Sequence, residues 1–320
     1  MRLRWQAPVT NRSRVAYRVR AMGLSVERAI VEVGQLAREM GLEAEPVVIA
    51  DRSNLVLRLD PHPRDRDGAA VVARVAMATS LVRVGMTWLR REVDLSRWLS
   101  ERGGRVTRPS TRLSPGPFER SGLVISFWEL ETIVGERADP VAAGSSLADA
   151  HAHLASYPIE QLPEWGGVEE ARQVLARART SEVLTKTELR RLEAAWEKAE
   201  AIVASARSRS ASFQAIHGDA HIGNVLATDR GPVWTDWEDA FVGPIEFDLA
   251  CLRSKAELFG EERDAIEAMT GAYRASYDVD LVRDLGLVRN VQVILWLAVF
   301  AERHADLLPR MRARIERLPP

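Results

Sequence analysis

Between Ile216 and Leu226 the chain reads Ile-His-Gly-Asp-Ala-His-Ile-Gly-Asn-Val-Leu, so His217, Asp219 and Asn224 stand in the pattern His-x-Asp-x-x-x-x-Asn. A carboxylate followed five residues later by a carboxamide suits phosphoryl transfer from ATP to a hydroxyl. That reaction asks for little covalent work from a protein. It needs one carboxylate to accept or orient the hydroxyl proton, and oxygen ligands that hold Mg2+ on the phosphates. The short loop between Asp219 and Asn224 lets a base and a metal ligand face one phosphate chain.

The residues downstream extend the pattern. Val225 to Thr228, the turn Asp229-Arg230-Gly231-Pro232, and Val233 to Thr235 read as a tight hairpin. Such a hairpin returns Asp236 beside Asn224 and offers a metal a second hard oxygen ligand. Gly243-Pro244 and then a turn at Asp248-Leu249-Ala250 follow; a buried Asp248 braces the catalytic loop by accepting backbone N–H bonds.

Taken together, His-Gly-Asp-x-His-x-x-Asn over 217–224, Asp-Trp-Glu over 236–238 and Gly-Pro-x-x-x-Asp-Leu-Ala over 243–250 resemble the aminoglycoside phosphotransferase and choline kinase superfamily of protein-kinase-like folds. The close match covers 216–250, and the order of elements agrees over 25–300. The resemblance implies an α+β, bilobal fold with an antiparallel-sheet N-lobe and a mainly helical C-lobe. It implies Asp219 as catalytic base, Asn224 and Asp236 as Mg2+ ligands, and His217 and Asp248 as structural support. ATP and Mg2+ are the implied cofactors, and the acceptor is a small-molecule hydroxyl on an aminoglycoside-like antibiotic, an amino alcohol or a sugar. The alternative is an inactive pseudokinase that serves as a nucleotide-binding or interaction module.

The nucleotide side follows from the same resemblance. Ser53-Asn54 sits where the family places its phosphate-covering loop, without a glycine-rich run; an ordinary Ser or Asx turn explains the dipeptide as well. Arg74 falls where kinases carry the lysine that contacts the α- and β-phosphates, with Glu92 on the next helix as its partner. Arginine keeps the charge but is longer and planar, and the chain has only Lys186, Lys198 and Lys255 as lysines. Phe127-Trp128-Glu129-Leu130 resembles the hinge whose backbone at Glu129 and Leu130 pairs with adenine.

Other polar residues are read more plainly. His151 and His153 stand two apart on a helix, point to different sides and make a poor metal pair, so they are helix-surface or packing residues. His221 shapes the catalytic loop, and Cys251 is a small core residue. A cationic acceptor would call for carboxylates and aromatics, of which Glu238 and Asp239, next to Asp236, are the best placed.

The elements that must position these groups come in two kinds. Residues 1–24 form an arginine-rich arm. Residues 25–128 read as the nucleotide-binding lobe: Ser25 caps a helix that Gly41 ends, and strands run over 46–50, 55–59, 70–76 and 123–128, with a helix over 88–99 between the last two. Residues 129–320 carry helical patterns over 147–154, 168–179, 187–204, 260–277 and from 285 to the end, interrupted by the compact stretch 216–244. A chain of 320 residues, 46% hydrophobic and 28% charged with net charge −1, is an ordinary globular balance and gives no electrostatic case for nucleic acid or an anionic membrane. One cysteine excludes a disulfide framework within the chain and fits a reducing cytoplasm. The longest apolar run, 291–300, is short for a membrane span and reads as a buried helix. Oligomeric state has no signature in the sequence.

Overall fold

The computed structural model describes residues 25–51, 54–62, 68–77, 86–180, 183–210, 212–302 and 304–319. The arginine-rich arm at 1–24 and Ser53 therefore lie outside the described residues. The chain divides into two compact units, one comprising residues up to Arg97 together with Thr107–Glu131, the other Trp98–Val106 together with Thr132–Pro320.

The first unit is a helix on an antiparallel sheet. In α1 (Val26–Glu39) the Ser25 hydroxyl accepts the N–H of Arg28 at 3.0 Å, satisfying one of the donors a helix start leaves open. Its apolar residues Ala29, Val33, Leu36 and Ala37 recur at helical spacing and are buried on one face. Gly41, at φ +86°, then turns the chain with a backbone conformation that costs other residues more. The sheet runs β1 (Pro46–Asp51), β2 (Asn54–Leu59), β3 (Val71–Ala76), β5 (Leu123–Glu129) and β4 (Phe118–Arg120) in that spatial order. Every pair is antiparallel. Alternate residues Leu55, Leu57 and Leu59 of β2 enter the core with Val71, Ala73 and Val75 of β3 and the face of α1. The edge strand β4 has only three residues, too few to show a period, and the sequence reading lacks it. The helix α2 (Thr87–Glu101) follows β3 and stops before Gly103, which has φ +79°.

The second unit is mainly helical. Its α3 (Pro140–Leu154) starts earlier than the apolar pattern suggests. Asp139 accepts the N–H of Ala142 at 2.7 Å, and Pro140 fits the first turn, where its missing N–H costs nothing. After α4 (Gly166–Ala178), a reciprocal capping box of Thr185 and Glu188 opens α5 (Lys186–Arg209). Two small antiparallel ribbons then form: β6 (Phe213–Ile216) pairs with β9 (Phe241–Pro244), and β7 (Val225–Thr228) pairs with β8 (Gly231–Trp234).

Three expectations need correction here. Asp248-Leu249-Ala250 is no turn but the interior of α6 (Ile245–Phe259), whose residues are buried nearly all round and so show no amphipathic stripe. The helix expected over 260–277 is α7 (Arg263–Ala272), because Gly260 and Glu262 both adopt left-handed backbone angles and delay its start. The helix expected to run from 285 to the end is two helices, α8 (Val279–Ala301) and α9 (Leu308–Ile315), separated by a turn of 3-10 helix at Ala305–Leu307. By length and composition α8 would reach across a bilayer, but 61% of its apolar window is buried inside the protein. It packs against α4, α5, α6 and α9 and forms the axis of the second unit.

Candidate active site

The loop between β6 and β7 is held from below by one carboxylate. Asp248 is fully buried, and its Oδ2 accepts the backbone N–H of His217 at 2.7 Å while its Oδ1 accepts that of Gly218 at 2.8 Å. His151 adds a third bond, with Nε2 at 2.9 Å from Asp248 Oδ2, and its Nδ1 lies 2.6 Å from the Tyr273 hydroxyl. With Nε2 donating to the Asp248 carboxylate, a neutral His151 ring accepts from the Tyr273 hydroxyl at Nδ1. Burial alone would raise the Asp248 carboxyl, but the bonds from His151 and from the loop backbone hold it below its usual value. Burial pushes the Tyr273 hydroxyl up, so it remains a donor. His151 is thus buried, as a packing residue would be, and not on the helix surface; beyond packing, it supports the loop through Asp248.

His217 is fully buried and ties the loop to the hairpin beyond it. The Asp219 N–H reaches its Nδ1 at 3.3 Å, which leaves the ring proton on Nε2 to donate to the Thr235 carbonyl at 3.0 Å. Its ring centre lies 4.5 Å from that of Trp237. Gly218 is required between them: at φ +81° a Cβ would meet the Asp239 carbonyl oxygen at 2.2 Å.

The hairpin positions the second half of the site. Thr228 pairs with Gly231 at its tip, and Val225 pairs with Trp234 at its base. The Thr235 N–H then donates to the Asn224 carbonyl at 3.0 Å, so Asp236 follows directly on the residue that clasps Asn224. Asp236 sits at φ 70°, ψ 49°, a left-handed conformation that aspartate tolerates better than most side chains and that turns the chain sharply there. The Asn224 amide nitrogen donates to the Asp219 carbonyl at 3.0 Å, which leaves its oxygen as the atom suited to a cation. A carboxylate and an amide oxygen are the hard donors Mg2+ takes, and one or two protein ligands plus phosphate oxygens is its common arrangement. The donor set of Asn224 and Asp236 therefore fits the metal.

Asp219 itself is half-buried. One oxygen, Oδ1, is hydrogen-bonded to the Arg289 guanidinium of α8, and the other lies 3.7 Å from His221 Nε2. Burial would lower Arg289, but the carboxylates of Asp219 and Asp239 hold it above its ordinary range. Burial lowers His221, so its ring is neutral at pH 7. Cys251 is buried under the loop with Sγ 3.8 Å from the Gly218 carbonyl, and burial pushes its thiol up and keeps it protonated. Beside the loop lies a cavity of about 150 Å3, lined in part by His221, Cys251 and Arg289. Glu238 is buried, and neither it nor Asp239 lines that cavity.

Arg289 is the residue the sequence reading misses. Its signal is an arginine set into the apolar part of the helix, with Leu285, Val288 and Val293 at neighbouring turns. Charge at such a position is costly without a partner.

The first unit carries its own polar cluster. Arg74 on β3 and Glu92 on α2 form a buried salt bridge. With its amide oriented to satisfy both groups, Asn54 on β2 accepts from Arg74 Nε at 3.0 Å. Register places Arg74 opposite Val56 on one side and Ser126 on the other, in the middle of the sheet. Glu129 ends β5, bonded through Oε1 to the Thr111 hydroxyl at 3.2 Å, and Leu130 beyond it is exposed.

Comparisons with known proteins bear on the family and the fold. The family model described as the phosphotransferase enzyme family matches residues 48–283. No curated protein matches the sequence. Among solved structures, an amicoumacin kinase in complex with AMP-PNP, Ca2+ and Ami is similar at 16% identity and a TM-score of 0.65, over 92% of this chain and 96% of that one. A microcompartment-associated aminopropanol kinase is similar at 14% identity and a TM-score of 0.66, over 88% and 94%. A spectinomycin phosphotransferase in complex with ADP and spectinomycin is similar at 12% identity and a TM-score of 0.62, over 92% and 94%. The likeness establishes the fold: the chain has the architecture of small-molecule phosphotransferases.

Proposed function

The chain belongs to the phosphotransferase enzyme family, and we propose that it moves the γ-phosphoryl group of ATP to a hydroxyl of a small molecule with Asp219 as catalytic base. The observation that carries this reading is the clasp around the loop. Asp248 fixes the amides of His217 and Gly218, and Thr235 and Asn224 close the other side, so Asp219, Asn224 and Asp236 are held on one short stretch of rigid backbone. Catalysis of phosphoryl transfer is mostly positioning and charge stabilisation, and such a stretch supplies it.

In this reading Asp219 accepts the hydroxyl proton as the acceptor oxygen bonds to the γ-phosphorus and ADP leaves. Asn224 and Asp236 would hold Mg2+, which would supply charge neutralisation on the phosphates. In the first unit, Arg74, fixed by Glu92 and Asn54, contacts the α- and β-phosphates, and the backbone at Glu129 and Leu130 receives adenine. Nucleotides named with two of the structural relatives, AMP-PNP and ADP, support ATP as donor. Amicoumacin, aminopropanol and spectinomycin in the relatives' names support a small-molecule acceptor.

ADP formation across a panel of hydroxylated acceptors tests the proposal. Asp219→Ala is expected to lower acceptor-dependent turnover by about a thousandfold or more, with ATP affinity retained. Full turnover in that variant contradicts the assignment of the base, and ATP binding without turnover on any acceptor supports the pseudokinase alternative. Asp236→Ala is expected to lose the Mg2+ dependence of ATP binding; an unchanged Mg2+-ATP affinity places the metal elsewhere.

A further inference from the structure

The cavity beside the catalytic loop has an unusual charge balance. Lys255, Arg289, Arg310 and Arg314 line it, against Glu262 as its one carboxylate. Two of these charges are answered locally, Arg289 by Asp219 and Glu262 by Arg137 at 3.9 Å. Lys255, Arg310 and Arg314 remain as excess positive charge on the lining, with Glu261 acting on Arg314 from outside it. Arg314 is 2% exposed, and its one side-chain bond is from Nη1 to Asn290 Oδ1 at 2.9 Å. Burial, with Arg310 and Arg289 nearby, pushes its guanidinium down to about 10.

A second observation points the same way. Ser254 Oγ, His221 Nδ1 and Arg314 Nε are buried without a hydrogen-bond partner, and all three residues line this cavity. Buried polar groups are almost always paired, and these three atoms belong to residues that wall the cavity but lie behind its accessible surface. The space is small. At about 150 Å3 it falls below the ~300 Å3 at which sites for drug-sized ligands begin.

We propose that this cavity seats the phosphoryl acceptor, and that the acceptor is a small hydroxylated anion whose carboxylate or phosphate group is held by Lys255, Arg310 and Arg314. The inference rests on the phosphotransferase reading and names its substrate class. Arg289 joins the two regions, since it lines the cavity and bonds Asp219. Asp219 itself does not line the cavity, so in this proposal the acceptor's hydroxyl reaches the base past Arg289. In the transfer, the acceptor oxygen forms a bond to the γ-phosphorus, the bond from that phosphorus to the β–γ bridging oxygen breaks, and the hydroxyl proton passes to Asp219. An anionic acceptor departs from the expectation of a cationic one held by Glu238 and Asp239, neither of which lines the cavity. Asp239 is one of the two carboxylates that hold Arg289 charged.

The test has two readouts on the full chain. The first is ADP formation with glycerate, gluconate and glycerol phosphate, against the neutral glycerol and glucose and the cationic ethanolamine and kanamycin. The second is direct calorimetric binding of the same compounds without nucleotide. The anions are expected to bind and to turn over best. In Lys255→Glu and, separately, Arg310→Glu, KM for them should rise roughly tenfold or more with kcat little changed. Preference for glycerate over glycerol phosphate, or the reverse, identifies the anionic group. Turnover of a neutral or cationic compound with no binding of any anion overturns the inference and leaves the phosphotransferase reading standing. Anion binding that Lys255→Glu weakens, with no ADP formed from any compound, leaves the cavity assignment standing and overturns the kinase reading. Anion turnover that neither charge reversal alters removes the cavity as its seat.

Discussion

Asp248 and Asp219 serve the same loop, yet one is complete and the other is not. Asp248 has no exposure and accepts from two amides and His151. Asp219 keeps a side chain 22% exposed, with one oxygen on Arg289 and the other 3.7 Å from His221. The contrast continues outward: behind Asp248 the chain of bonds runs on to Tyr273, whereas the wall beyond Asp219 holds Ser254, His221 and Arg314 atoms with no partner. A buried group without a hydrogen bond costs about 1–3 kcal/mol. The second unit thus satisfies Asp248 fully, while Asp219 has one oxygen on Arg289 and lies beside residues with unpaired buried atoms.

The contrast is broken first at the brace. Asp248→Asn puts an amide where two N–H donors and His151 converge, and unfolding free energy should fall by about 2–4 kcal/mol, read by denaturant melts. Activity should fall with it, because the loop loses its support; a variant as stable as the parent contradicts the role of Asp248. The same bond network sets an acid limit. The folded Asp248 carboxyl lies below its ordinary 3.8, so its contribution is complete above that pH and is lost as pH falls from 3.8 through the folded value. Melts from pH 6 to pH 2.5, values of about the range in which carboxylates titrate, should show that loss in the parent and a flatter profile in Asp248→Asn. At the other edge the sign reverses. Ser254→Ala removes a buried hydroxyl with no partner, so stability should stay level or rise by up to about 1 kcal/mol. A clear loss on that substitution would mean that the hydroxyl is satisfied in the folded chain.

The two regions also differ in how they could be read from sequence. The spacing of His217, Asp219 and Asn224, and the turn at Asp229-Arg230 (Gly231 and Pro232, expected in the turn, pair in β8), are local patterns, and local patterns fix the hairpin that sets Asp236 next to the Asn224 clasp. Residue chemistry alone points to Asp248 as an acceptor of loop amides, and the structure has it accepting two. Its helix was not legible, because α6 is buried nearly all round and gives no period to detect. His151 finds Asp248 across 97 positions, and Arg289 finds Asp219 across 70. Such pairings depend on how α3, α6 and α8 pack, which no window of sequence contains. The cationic cavity is harder still, since Lys255, Arg310 and Arg314 look like ordinary charges on helical faces until the packing brings them together.

The most direct measurement is phosphorus NMR of a reaction holding the protein, Mg2+-ATP and glycerate. The account predicts a new phosphate monoester resonance growing in step with ADP, absent with Asp219→Ala under the same ATP occupancy. Free phosphate alone, or an equal monoester signal from the variant, would contradict transfer through Asp219.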